Sequence, residues 1–347
     1  MNDFLRAAAL ALSATVGIAG LSASAFAAED EQSLYEAAKA EGGVIWYTSQ
    51  FTAERAERAC ATFREKYPGV NCNPVRASGS VTFQRVFQEA QSNAVQADVF
   101  STSDLTDLVQ LREGGHLAPY KPADLSAALD VVRNFSEPDG YWTVSNVAPI
   151  GIAYNTQLVS EADAPKNWED LLDPKWKDQV AIAHPGFSGS TNVWAVAMFR
   201  KYGWDYFERL EANKPHIGRS IVDGYNLVVS GERKIALAPI NGTEEGAKDG
   251  RPVKAVYPTD GVLVPPSGSA VLAKAPHPNA ARLFVNFMLS REMSQFLADQ
   301  FRFPLRGDVP KPDGLRDLDD MTIMMVPEGD GSTELEVQKR FRDTFGI

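Results

Sequence analysis

An α/β fold is predicted by three features of the sequence. Helical and β-type apolar patterns alternate from residue 33 to residue 300. The strand patterns end in Ser- and Thr-rich turns that open directly into helical patterns. No low-complexity linker interrupts the alternation, so two lobes joined by extended crossing strands fit better than two beads on a string.

In order along the chain, residues 33–41 are an acidic helix closed by Gly42-Gly43, a C-terminal stop signal. Val44-Ile-Trp-Tyr47 is a buried strand ending in the turn Thr48-Ser49-Gln50. Thr52 opens a helix to Tyr67 with Ala56, Ala59, Cys60 and Phe63 on one face, stopped by Pro68-Gly69. Residues 70–75 are the next strand, and Ala77-Ser78-Gly79-Ser80 is a small polar turn before a helix carrying Phe83, Val86, Phe87 and Ala90. Ala97-Asp-Val-Phe100 is a third strand, capped by the turn Ser101-Thr-Ser103-Asp104. Residues 141–155 are extended and broken by Pro149, and 165–177 are a short helix between prolines. Strands at 180–183, 235–238 and 253–257 lead into the turns His184 to Thr191, Pro239 to Glu244 and Pro258 to Gly261. A helix is expected over 192–202 and one amphipathic helix over 279–300.

The 347 residues include 34 basic and 45 acidic side chains, for a net charge of −11, and 44% are hydrophobic. That apolar content excludes a disordered chain. Basic residues are dispersed rather than gathered in a phosphate-neutralising stripe, which excludes a nucleic-acid partner. Residues 7–20 are an uncharged apolar run, shorter than the about 20 residues a membrane span needs. Ala25-Phe26-Ala27 follows, so residues 1–27 read as a secretory signal peptide cut near Ala27, and the mature chain as an exported, soluble protein. Export permits a bond between Cys60 and Cys72, whose short loop would contribute about 3 kcal/mol. The alternative is a pair of buried thiols.

In open α/β sheets ligands bind beyond the carboxyl ends of the strands. Helix N-termini there offer free N–H groups to anionic oxygens. Several such turns in one chain point to a ligand cleft, although each alone is also an ordinary helix cap.

The pattern resembles the type II periplasmic solute-binding proteins of ABC importers, in the branch that contains the ferric-ion-binding proteins. The resemblance rests on VIWYTSQ from Val44 to Gln50, ADVFSTSD from Ala97 to Asp104 and Gly115 to Tyr120. It continues with Gly151 to Asn155, WEDLLDPKW from Trp168 to Trp176, Ser188-Gly-Ser190, Gly231-Glu232, Tyr257 to Gly261, Ser269 to Leu272 and Pro276 to Ser290. It implies mixed sheets with helices on both faces, two crossover hinge strands and a ligand between two lobes. The first lobe is expected to be discontinuous, 28–143 and 262–347, and the second to span 144–261. A permease and an ATPase are the implied partners, of a monomeric binding protein.

The resemblance does not carry the ferric ligands across. The family's adjacent tyrosines would fall where this chain reads Asn241-Gly-Thr-Glu244, its histidine at Phe51 and its glutamate near Ser103. His116, His184, His216 and His277 show no metal-ligand spacing. No metal site and no cofactor are expected.

The cleft turns suggest oxyanion cradles at Ser188-Gly189-Ser190 and at Ser78-Gly79-Ser80, the second with Arg76 as a bidentate partner. Ser49, Gln50, Ser103, Asn241 and Thr243 line the same strand ends. Asp223 and Glu244 could meet an ammonium group or hydroxyls, or else cap helices. Tyr47, Trp142 and Tyr225 are the candidate aromatic walls. The expected solute is small and polar, anionic or zwitterionic, such as a phosphonate or sugar phosphate. A ferric receptor using a synergistic anion is the alternative. A periplasmic hydrolase is less well supported: there is no GxSxG elbow, HExxH or GxxxxGK[ST], and Gly186 to Ser190 resembles an elbow only loosely. The expected protein is therefore not an enzyme.

Overall fold

The computed structural model describes residues 31–324 and 332–347; the expected leader and its cut near Ala27 lie outside the described residues. The chain runs α1 Glu31–Glu41, β1 Gly43–Thr48, α2 Ala53–Lys66, β2 Asn71–Arg76, α3 Gly79–Gln91, β3 Val99–Thr102, α4 Leu105–Glu113, β4 Leu117–Ala118, α5 Asp130–Phe135 and β5 Thr143–Val147. It continues β6 Ile150–Asn155, β7 Val180–Ala183, α6 Gly189–Tyr202, α7 Asp205–Ala212, β8 His216–Gly218, α8 Ile221–Ser230, β9 Ile235–Pro239, α9 Ile240–Lys248, β10 Val253–Val256 and β11 Val262–Leu263. It closes with β12 Pro266–Leu272, α10 Pro278–Met288, α11 Arg291–Asp299, β13 Ile323–Met324 and α12 Ser332–Phe345. None of the described helices is long and apolar enough to cross a membrane.

The elements sort into the two expected lobes. The first holds a sheet of order β2-β1-β3-β12-β4 with β5 also on β12. β1 is parallel to β2 and β3, which requires helical crossovers, and α2 and α3 supply them. β12 returns antiparallel to β3. The second sheet has the order β13-β11-β6-β9-β7-β8, and β10 pairs antiparallel with Ile152–Asn155 of β6, next to the β11 pairing at Ile150.

α2 forms as its periodicity requires. Thr52 caps it, accepting from the Arg55 N–H at 3.2 Å, and Ala56, Ala59, Cys60 and Phe63 are buried. Phe63 meets Phe284 and Phe287 at ring-centroid distances of 5.3 Å each, and Phe284 meets Trp46 at 5.1 Å, which pins α2 and α10 on one face of the first sheet. Cys60 of α2 and Cys72 of β2 are disulfide-bonded, with Cα atoms 5.3 Å apart. Replacing both by alanine is expected to lower unfolding stability by about 3 kcal/mol, the chain-entropy value for so short a loop; urea denaturation of the oxidised protein measures it.

Several segments differ from expectation: residues 165–177 hold two short 3-10 turns, Glu169–Leu172 and Pro174–Trp176, and the helix expected over 192–202 already begins at Gly189. The single helix expected over 279–300 is broken, because Ser290 interrupts it as a new cap and accepts from the Met293 N–H at 3.2 Å. The expected turn at 239–244 is already helix: the Ile240 N–H donates to Pro149 O at 2.9 Å and α9 starts at once.

The chain crosses between lobes through Ala148-Pro149 and through Val264-Pro265. A third crossing follows α11 and takes the C-terminal segment to the second lobe rather than the first. β13 pairs with β11, and α12 buries Val337 and Phe341 against Phe207 and the α6 side of the second sheet. The apolar face of α12 needs a core to bury against, and that core is in the second lobe.

Beneath the crossings lies a buried polar network. Trp46 Nε1 donates to Ser101 Oγ at 2.8 Å, and the Ser101, Ser269 and Ser145 hydroxyls follow at 2.5 and 2.6 Å. Gln50 completes it: its Nε2 donates to Thr102 O and Gly268 O at 3.2 and 2.9 Å, and Ser145 donates to its Oε1 at 3.2 Å. A satisfied buried network fixes one arrangement of its strands. Here it locks β1, β3, β5 and β12 at the base of the crossings.

Candidate ligand-binding site between the lobes

A cavity of about 340 Å³ opens between the lobes above the crossing segments. Its first-lobe wall begins at the carboxyl end of β3, where Ser103 and Asp104 turn the chain into α4. Asp104 caps that helix, accepting from the Thr106 N–H at 2.9 Å and from its hydroxyl at 2.6 Å. One turn on, Asp107 is buried and receives the Thr102 hydroxyl at 2.8 Å. Burial pushes its carboxyl up to about 7, and the neighbouring Asp104 charge adds to the shift.

The same wall continues through Phe135, Glu137 and Trp142. Glu137 is buried, with Oε2 accepting from the Tyr141 N–H at 3.0 Å and Oε1 from Arg112 Nη1 at 3.3 Å. The Arg112 guanidinium also lies 5.4 Å from the centroid of the Trp142 ring. Trp142 is 2% exposed, and its Nε1 has no hydrogen-bond acceptor among the described residues.

The second-lobe wall is the first turn of α6, with Gly189, Asn192 and Val193. Ser188 caps the helix, accepting from Thr191 N–H at 3.3 Å and its hydroxyl at 3.0 Å. A side chain at Gly189 would point into open space. The first N–H groups of this helix have no intrahelical acceptor and carry the positive end of its dipole. Val264, Pro265 and Pro266 form the floor.

Of the sequence-derived candidates, Ser103, Trp142 and Gly189 line this cavity, and Ser188 and Ser190 flank Gly189 on α6. Ser103 Oγ accepts the Ser267 hydroxyl at 3.3 Å. The others lie elsewhere. Tyr47 is 1% exposed inside the first lobe, where its hydroxyl donates to Glu89 at 3.1 Å and Arg85 covers its ring at 4.5 Å. Burial and Glu89 push that phenol up to about 12. Gln50 is engaged in the serine network. Ser49 is half-buried with its N–H on Ser101 O, and Gly79 packs near its hydroxyl. Arg76 is exposed and donates from Nε to Phe51 O at 3.2 Å; Ser78 precedes α3, and Ser80 falls in that helix's first turn.

In the second lobe the Asp223 carboxylate closes the start of α8, accepting from the Arg219 and Ser220 N–H groups at 3.1 and 3.0 Å. Asn241 is buried with Nδ2 on Phe301 O, Thr243 donates to Pro239 O, and Glu244 accepts from the Ala255 N–H. Tyr225 receives Arg251 Nη1 at 3.2 Å. Each of these side chains already has a partner within the protein, although the Asn241 Oδ1 has none among the described residues.

Residues 96–327 match the family model described as bacterial extracellular solute-binding protein. The chain belongs to that family. This solute-binding protein is 25% identical over 286 residues to the putative 2-aminoethylphosphonate-binding periplasmic protein of Salmonella typhimurium, covering 79% of this chain and 78% of that one. Among solved structures it is similar to iron-bound HitA from Pseudomonas aeruginosa, with a TM-score of 0.74 and 22% identity over 86% of this chain and 99% of that one. It is equally similar to AfuA from Actinobacillus pleuropneumoniae, solved with exogenous fructose-6-phosphate bound: TM-score 0.74, 22% identity, 88% and 99% coverage. The fold is that of the type II periplasmic solute-binding proteins, in the iron-binding-protein-like branch.

Among the described residues of this solute-binding protein, no group of three or more His, Cys, Asp or Glu side chains could hold a metal ion. Its cavity also contains side chains that the turn-by-turn reading did not select: Arg112, Glu137, Asn192 and Phe135. The available signal was the pair of prolines, Pro265-Pro266, which marks where a crossing strand forms the cavity floor.

Proposed function

We propose that this chain is the exported, substrate-binding component of an ABC importer. It captures a small anionic or zwitterionic solute between its lobes and delivers it to a permease and ATPase. The leader at residues 1–27 would be cut near Ala27, and the mature protein would act in the periplasm as a monomer without catalysing a reaction. The observation that carries this reading is the open first turn of α6 at Gly189, facing a cavity to which both lobes contribute. The relatives named for 2-aminoethylphosphonate binding and for bound fructose-6-phosphate support a phosphorus oxyanion as the group seated there.

Capture follows from the geometry. The solute's oxyanion meets the α6 N–H groups and the flanking Ser188 and Ser190, and closure about the segments 148–149 and 264–265 brings the Ser103 side against it. Energy for transport comes from the partner ATPase.

A thermal-shift titration with 2-aminoethylphosphonate, fructose 6-phosphate, inorganic phosphate and ferric citrate tests the reading. A phosphorus oxyanion at 100 times its Kd is expected to stabilise the protein by about 2.7 kcal/mol. A response to ferric citrate alone would replace this reading by the ferric one. Gly189→Asp is expected to keep the fold, since its side chain enters open space and an acidic first-turn residue suits a helix start. The added carboxylate should lower oxyanion affinity at least about 100-fold, near 2.7 kcal/mol, measured by calorimetric titration.

A further inference from the structure

Beyond the oxyanion end, the larger part of the cavity wall is apolar. Phe135 and Trp142 stand on one side, Val193 on the facing helix, Val264 and Pro265 on the floor and Met324 at the edge. The charged groups around it sit at its edges: Glu137 holds Arg112, Asp104 holds the start of α4, and Glu334 of α12 completes the lining. The apolar walls offer few partners for a ring of sugar hydroxyls. Polar groups desolvated against such walls lose hydrogen bonds that nothing replaces. A largely apolar pocket of a few hundred Å³ with a small number of placed polar groups is suited to an organic ring. One polar group is unmet: the buried Nε1–H of Trp142 has no acceptor among the described residues, which is uncommon for a buried indole.

We propose that the solute is a small aromatic or heteroaromatic compound bearing one oxyanion group, its ring seated between Trp142, Phe135 and Val193 and its anion on the first turn of α6. An acceptor atom on the ring edge would meet Trp142 Nε1–H. This rests on the interlobe-capture reading above and narrows its solute class. The ring's flat faces would lie against the indole and the proline floor, where offset aromatic packing adds to simple burial.

Calorimetric titration of the mature protein with phenylphosphonate, pyridine-3-phosphonate, 2-aminoethylphosphonate, fructose 6-phosphate and inorganic phosphate tests it. The expected result is that both ring phosphonates bind at least tenfold tighter than the other three. Val193→Ser, a change on a half-buried helix position, is expected to reduce the phenylphosphonate-to-phosphate affinity ratio about tenfold. Trp142→Phe keeps an aromatic ring and removes the donor, and should erase any preference for pyridine-3-phosphonate over phenylphosphonate. Tighter binding of aminoethylphosphonate or fructose 6-phosphate, or a ratio that Val193→Ser leaves in place, overturns the aromatic solute while leaving capture of an oxyanion intact. Binding of none of the five overturns both.

Discussion

Phe341→Ala is expected to destabilise the protein by about 3–5 kcal/mol, the usual cost of removing a fully buried phenyl ring. Phe341 is 0% exposed and sits on α12, the helix that returns from the first lobe. Its ring lies 5.9 Å from Phe207, 4.4 Å from Phe345 and 5.9 Å from the His184 imidazole. The last contact connects stability to the site. His184 Nδ1 accepts from the Gly186 N–H at 2.8 Å, and its carbonyl accepts from the Phe187 and Ser188 N–H groups, so this histidine shapes the turn that presents Ser188 and Gly189. Loss of the phenyl ring should therefore weaken oxyanion affinity as well as the fold. Leu335→Ala on the same helix, where the side chain is 69% exposed, should change stability by under about 0.5 kcal/mol. Urea unfolding of the two variants decides the matter: a Phe341→Ala loss below about 1 kcal/mol would mean that α12 does not complete the second-lobe core.

The place of α12 also shows what a single chain of residues conveys. Elements whose burial is local were legible. β1, β3, β7 and β9 are apolar runs between turns, and the Ala56, Ala59, Cys60 and Phe63 stripe of α2 lies on one face because 3.6 residues make a turn. Which core accepts an apolar face is a long-range choice, so the tail was assigned to the first lobe although its partners are Phe207 and the α6 layer. Ser290 looked like one more residue in an amphipathic run; only its side-chain bond to Met293 N–H makes it a cap. At the site, polar turns were legible because Ser, Thr and Gly recur where strand patterns give way to helical ones. Most of them proved to be engaged in local structure, as Asp223 is in closing α8. Of the cavity's apolar wall only Trp142 was legible, since Phe135, Val193, Val264 and Met324 come from separate stretches that only the interlobe geometry brings together.

Asp107→Asn is expected to stabilise the protein, and to do so mainly above neutral pH. In the native state the Asp107 carboxyl is buried beside Asp104 and holds its proton up to about pH 7. In the unfolded chain it ionises near the ordinary value of about 4. Below that value the carboxyl is protonated in both states and its contribution to stability is complete. As pH rises from about 4 to 7, unfolding releases a proton, so stability falls; above 7 the full penalty of a buried carboxylate is present. The upper limit for a shift of this size is about 4 kcal/mol, at roughly 1.4 kcal/mol per pH unit. Asparagine keeps an oxygen that can accept the Thr102 hydroxyl and never ionises. Urea unfolding at pH 4.5 and pH 8 should therefore show a small difference between variant and parent at the lower pH and a gain of up to about 4 kcal/mol at the higher. A gain of equal size at both pH values would trace the effect to packing. No gain at pH 8 would mean that the Thr102 hydroxyl and nearby solvent fully support the charge. Asp104→Asn, which removes the neighbouring charge and keeps an oxygen that can cap α4, should recover only part of the gain, because burial is the larger cause of the shift.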